Sequence, residues 1–257
     1  SPASQKKDSV KKVVIEDGVT SIGNYAFESC WNLTSITIPD SVIGIGNYAF
    51  SNCSALSNIA IHEGITSIGD YGFSGCRSLT SVLIPKGITS VGFGVFAECE
   101  DLKDVTISEG VTYIGAGMFA ECESLREITL PESLKVIGES AFQSSGVRNV
   151  NLPEGVTSIE AFAFASCGWL DSITIPEAVT NIGDYAFTGC DGLTSITIPS
   201  GITSIGTGVF SYCWYLNTVF LPEGLISIGD SAFADCRQLL NIEIPQGVTS
   251  IGDFAFR

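Results

Sequence analysis

The chain has 257 residues, with 12 Lys and Arg against 28 Asp and Glu, for a formal net charge of −16 at pH 7. That charge excludes nucleic acid as a partner, because its phosphates would be repelled; the lysines Lys6, Lys7, Lys11 and Lys12 are the one basic run. Length alone would allow two globular domains, but no linker, low-complexity run or apolar stretch of membrane length interrupts the sequence, so no membrane insertion is expected in this segment.

Residues 1–9 read as a polar, solvated N-terminal lead. From residue 10 to 257 the text repeats. Phe27, Phe50, Phe73, Phe96, Phe119, Phe142, Phe164, Phe187, Phe210, Phe233 and Phe256 lie 23 residues apart in nine of ten intervals; Phe142 to Phe164 is 22. A Gly four residues before each Phe keeps the same beat, with Glu160 the one departure. A fixed period of this size is the signature of a stacked-repeat fold.

One repeat, taken from Leu193, shows what is stacked. Ile196, Thr197 and Ile198 alternate with period two, as a half-buried strand does. Pro199 cannot donate to a ladder and ends that strand. A Gly follows in eight of eleven repeats, here Gly201, and a positive φ is expected at that turn. Ile202 and Ile205 point inward. The Ala-Phe-x-x-Cys segment has apolar residues three apart, which predicts one short helical turn. A single coil buries nothing by itself; stacked, its Leu, Ile and Phe columns become one core. The expected fold is therefore a β-rich α/β solenoid of about ten and a half 23-residue coils, with parallel strands about 4.8 Å apart and a length of roughly 50 Å. The last repeat stops three residues before a cysteine is due, so the solenoid is expected to continue past Arg257.

These residues carry a resemblance. The motif LxxIxIPxGVTSIGxxAFxxC, running from about Val10 to Arg257, resembles the BspA-type leucine-rich repeat of bacterial surface proteins. The resemblance implies a right-handed leucine-rich repeat solenoid, an extracellular, cell-surface location, and binding or adhesion to host matrix proteins.

The departures from the repeat are where function is sought. Nine cysteines, from Cys30 to Cys236, each follow the Phe by three. Stacking holds their Cβ atoms near the coil spacing of about 4.8 Å, wider than the roughly 3.8 Å of a disulfide. They read as buried thiols acting as small hydrophobes, with scattered disulfides and a metal site as the alternatives. Trp31 is an isolated exposed aromatic. His62 is the only histidine and stands where other repeats have Pro; no HExxH, phosphate loop or triad accompanies it, so no catalytic residue, cofactor or metal is assigned and the protein is not read as an enzyme. The position after the strand carries eight carboxylates in eleven repeats, from Asp17 to Glu223, and reads as a solvating turn. A denser acidic cluster is Glu98, Glu100, Asp101, Glu121 and Glu123.

On the strand face, three successive repeats bring Lys103, Arg126 and Arg148 beside Asp104 and Glu127, a mixed patch expected to pair its charges across strands. The short repeat replaces the ladder Cys by Ser145, and Gly146 is expected to absorb the tighter turn. Trp169, one coil on, reads as a plug over that defect, with a binding role as the alternative. Finally, SYCWYLNTVF puts Tyr212, Trp214, Tyr215 and Phe220 outside the core positions held by Cys213, Leu216, Val219 and Leu221. Exposed Trp and Tyr are enriched in interface hot spots, so these four are the candidate partner-binding residues. The sequence thus reads as a cell-surface protein-binding module for host matrix or plasma proteins; the alternative is a spacer presenting another domain.

Overall fold

The computed structural model describes residues 9–257; Lys6, Lys7 and nearly all of the expected N-terminal lead lie outside them. The repeats form a parallel β-solenoid with two lines of short strands; the second has a strand in every coil, whereas the first is broken into four two-stranded pairs. The first is built of Lys12–Val14, Ser35–Thr37, Ser81–Ile84, Asp104–Ile107, Asn149–Asn151, Ser172–Thr174, Ser195–Thr197 and Thr218–Phe220. Its register is one repeat per step, as in Ser195↔Thr218 and Thr197↔Phe220. The second ladder was not foreseen. It consists of two-residue strands, such as Ser21–Ile22 paired with Gly44–Ile45, and these are too short to show an alternation.

The expected helical turn is absent: no helix occurs among the described residues. The Ala-Phe-x-x-Cys segment is a run of β-turns. Ala49 N–H donates to Gly46 O, Ser51 to Tyr48 O and Cys53 to Phe50 O, while the alternate amides, such as those of Tyr48 and Phe50, reach the next coil. In every coil the residue two before Phe has a positive φ, and so does the residue two after it wherever a cysteine or Ser145 follows. Those turns need left-handed residues, yet Gly fills only five of these 21 positions and Tyr and Ser fill ten, held there by the ladder on either side.

The turn Gly that was expected to be left-handed mostly is not. Of that column only Gly18 and Gly110 have a positive φ. These two precede coils in which Ser replaces Gly, and their N–H groups donate to Ser41 Oγ and Ser133 Oγ. At Gly87 the need is for close approach, since a Cβ there would sit 2.3 Å from Glu63 O.

Inside, the columns stack as anticipated. Phe50 to Phe233 are buried, and neighbouring rings lie parallel 5.1–5.7 Å apart with one wider step, 6.1 Å between Phe96 and Phe119. Each ring removed from water contributes about 1.5–3 kcal/mol. At the wide step the second ladder is interrupted, since Ser90–Val91 and Tyr113–Ile114 do not pair. There the small-residue column next to Phe, filled by Ala49, Ala141 and Ala186 elsewhere, carries Val95 and Met118; the ladder is interrupted again between Asn181–Ile182 and Ser204–Ile205, where that column carries Val209. The larger side chains at the wide step wedge the coils apart and leave a largely apolar cleft of about 320 Å³ beside Ile88, Val91, Val111 and Met118.

A further ladder runs through the residue after the Gly. Asn24 Oδ1 accepts from Asn47 N–H, Asn47 Oδ1 from Asp70 N–H and Asp70 Oδ1 from Phe93 N–H. The departure at Glu160 fits this scheme. Ala116 has no oxygen to offer the following coil, and Glu160 reaches back to accept from Glu139 N–H.

Candidate functional site

The cysteines form no reactive centre. All nine are free thiols, and each from Cys53 onward donates to a Phe carbonyl of the preceding coil, as Cys190 Sγ does to Phe164 O at 3.2 Å. Burial pushes Cys122, Cys167 and Cys236 up to about 12, and raises Cys76, Cys99, Cys190 and Cys213 as well. A thiol held protonated is neither nucleophile nor ligand. Ser145 fills the missing position of the ladder, with its hydroxyl 3.5 Å from Cys167 Sγ.

His62 is partly buried. Its Nδ1 accepts from Gly64 N–H at 3.2 Å and lies 4.0 Å from Asp40 Oδ1. The acidic turn column caps backbone rather than collecting cations: Glu109 accepts from the amides of Glu132 and Ser133, and Glu177 from Ser200 N–H and Oγ. Those bonds from Ser200 hold the Glu177 carboxyl below its ordinary range. In the denser cluster Arg77 pairs with Glu98 and Glu100. No group of three potential metal ligands occurs among the described residues.

The four candidate binding residues are all at the surface: Tyr212 is 54% exposed, Trp214 41%, Tyr215 58% and Phe220 60%. Tyr212 occupies a left-handed turn position. Trp214 is covered on one face by the Arg237 guanidinium, 4.9 Å from the ring centroid. Phe220 ends its strand and borders an opening of about 440 Å³, lined also by Thr218, Asn241 and Glu243, where the last coil fails to extend the first ladder. The structure places the four on adjoining segments, but no ring of one touches a ring of another.

Two expectations about charge and Trp169 need correcting together. Lys103, Arg126 and Arg148 make no ion pair with Asp104 or Glu127; among the described residues they make none at all. Trp169 is no buried plug, being 57% exposed. Arg126 and Arg148 instead lie over its ring, 5.5 and 5.2 Å from the centroid. Sequence reading also missed an aromatic column on the turns: Tyr25, Tyr48 and Tyr71 stack at 5.1 Å spacing and end on Phe93. Its signal was present as the recurring Tyr of GNYAF and GDYGF.

The family description "BspA type Leucine rich repeat region" matches in 6 copies, over residues 20–147 and 135–257. The chain belongs to the BspA-type leucine-rich repeat family. Among solved structures, this BspA-type chain is similar to a leucine-rich repeat protein of Bacteroides ovatus, at 30% identity and TM-score 0.70 over 96% of this chain and 76% of that one. It is also similar to a leucine rich cell surface protein of Faecalibacterium prausnitzii, at 32% identity and TM-score 0.65 over 95% and 78%. A leucine-rich repeat protein of Eubacterium ventriosum follows at 25% identity and TM-score 0.55, over 100% and 84%. No curated protein matches the chain significantly. A BspA-type solenoid is a protein-interaction scaffold: its rigid stacked coils present broad surfaces, and chemistry is not typical of it.

Proposed function

We propose that this BspA-type chain acts at the cell surface as a protein-binding module that adheres to host matrix or plasma proteins, through Tyr212, Trp214, Tyr215 and Phe220 on a single solenoid running from residue 10 to 257. The observation that carries this reading is the exposure of four large aromatics on adjoining segments, where equivalent positions are filled by small or polar residues such as Gly189, Asp191 and Thr197. Aromatic anchors of this kind supply most of the energy in protein interfaces, and the opening beside Phe220 gives a partner side chain somewhere to seat. The description of the Faecalibacterium prausnitzii relative as a cell surface protein supports the location.

The test is a binding array of immobilised matrix and plasma proteins, probed with the chain and with a Trp214→Ala, Phe220→Ala variant. Saturable binding that is lost in the variant while its melting temperature holds supports both module and site. Binding retained in the variant discards the site. A blank array turns the reading to a spacer, for which the regularity of the stack is equally suited.

A further inference from the structure

The repeat that is one residue short does more than tighten a turn. Other coils place two residues between the ladder Cys and the core Leu; here Gly146 alone separates Ser145 from Val147. Gly146 has no room for a side chain, since a Cβ would sit 2.1 Å from Glu123 O and 2.8 Å from Arg126 Nη1. Arg126 uses that space. Its Nη1 donates to Gly146 O at 3.2 Å, and its guanidinium reaches on to Trp169, two coils away or about 9.6 Å in strand spacing. Arg148, from the coil between, reaches the same ring.

Two guanidinium groups thus share one indole and have no carboxylate partner on a chain of net charge −16. Both guanidiniums lie within 5.5 Å of one ring centroid, so their like charges repel, and an anion bound by both would reduce that repulsion. A guanidinium has five N–H donors, and Arg126 uses one on Gly146 O, so donors remain for a carboxylate fork. An opening of about 360 Å³ on the Arg126 side of the ring is lined by Trp169, Arg126, Ser144, Ser166 and Glu123.

We propose that Arg126, Arg148 and Trp169 form a docking site for an acidic side chain on a protein partner, separate from the aromatic surface around Trp214. A carboxylate is favoured over a sulfated glycan by the surroundings. Glu123 lines the opening, Glu127 follows Arg126 in the chain and Asp171 N–H donates to Arg148 O, so a polymer charged at every unit would meet repulsion along its length, whereas a single Asp or Glu meets far less of it.

The experiment uses the whole chain and three probes: a dye-labelled nonapeptide with a single Glu in an otherwise neutral sequence, its Gln counterpart, and heparin. Saturable, salt-sensitive anisotropy with the Glu peptide and not the Gln peptide is expected. Arg126→Ala and Arg148→Ala should each weaken it by about ten-fold or more. Arg148→Lys should restore part of it, and Trp214→Ala, Phe220→Ala none of the loss, nor cause any. Equal binding of the two peptides, no binding of either, or full binding by both arginine variants would overturn the proposal. Heparin bound through these arginines with the Glu peptide ignored would replace the carboxylate by a sulfate. Because the aromatic variant is read separately, failure here leaves the proposed adhesive surface untouched, and the reverse.

Discussion

Raising the pH through the thiol range should unfold this protein early, and the buried cysteine ladder sets the steepness. In the unfolded chain a thiol ionises near its ordinary value of 9.0, whereas in the folded chain Cys122, Cys167 and Cys236 hold their protons to about 12. Cys76, Cys99, Cys190 and Cys213 are shifted in the same direction, in each case chiefly because burial disfavours the thiolate. An acid whose folded pKa is raised contributes stability that is intact below the unfolded pKa and is lost as pH rises toward the folded one. Between about pH 9 and 12 the native state therefore binds more protons than the unfolded state, and stability falls by about 1.4 kcal/mol per pH unit for each thiol. Seven thiols acting together approach a slope of roughly 10 kcal/mol per unit, comparable with the whole stability of about 5–15 kcal/mol of a typical domain. Collapse is expected within about one to two pH units above 9, well before any thiol ionises in place. Tyr71 and Tyr113, also raised by burial, add to the loss in the same sense.

Urea titrations at increasing pH under reducing conditions, with thiolate absorbance followed alongside circular dichroism, measure this slope. In a Cys190→Ala, Cys213→Ala variant the slope should fall by about 3 kcal/mol per pH unit, whatever the substitutions cost at neutral pH. Stability that stays flat to about pH 10.5, or thiolate absorbance that rises while the dichroism is unchanged, would refute the reasoning.

Two further outcomes follow from the packing between coils. Gly208→Ala should destabilise on two counts: its φ of 60° costs a side chain about 1–2 kcal/mol, and the new Cβ would fall 2.3 Å from the Tyr185 ring; adding Tyr185→Ala should recover the second part and not the first, as a double-mutant cycle in urea would show. In amide hydrogen exchange, Thr112 and Gly115 should exchange faster than Thr89, Gly92, Lys135 and Gly138, because the latter donate to the preceding coil and the former sit at the interrupted ladder; equal protection would count against the wedge formed by Val95 and Met118.

The columns that fill the core were legible because each is a single residue type on a fixed beat, and Leu33, Phe50 and Ile65 need no partner beyond their own copy. The turn segment was not. Apolar residues three apart in Ala49-Phe50-x-x-Cys53 fit a helical turn and a run of β-turns equally well, and the choice rests on Tyr48 and Asn52 taking positive φ, which their side chains do not announce. Gly201 and its equivalents were misread for the converse reason: Gly signals both left-handed backbone and lack of space, and in this column Gly18 and Gly110 show the first and Gly87 the second. At the surface, Trp214 and Phe220 stood out as departures from a column. The Arg126–Arg148–Trp169 assembly did not, since its members come from three coils and meet only because Gly146 leaves a gap.

The central claim is that the repeat specifies the fold and that its aromatic departures carry the binding. The most direct test restores the repeat at those positions, with Tyr212→Gly, Trp214→Asp, Tyr215→Gly and Phe220→Thr taken from the preceding coils, and measures the binding isotherm of the resulting chain for an array hit. An unchanged fold with saturable binding abolished is the expected result; an isotherm that overlays the original would contradict the account.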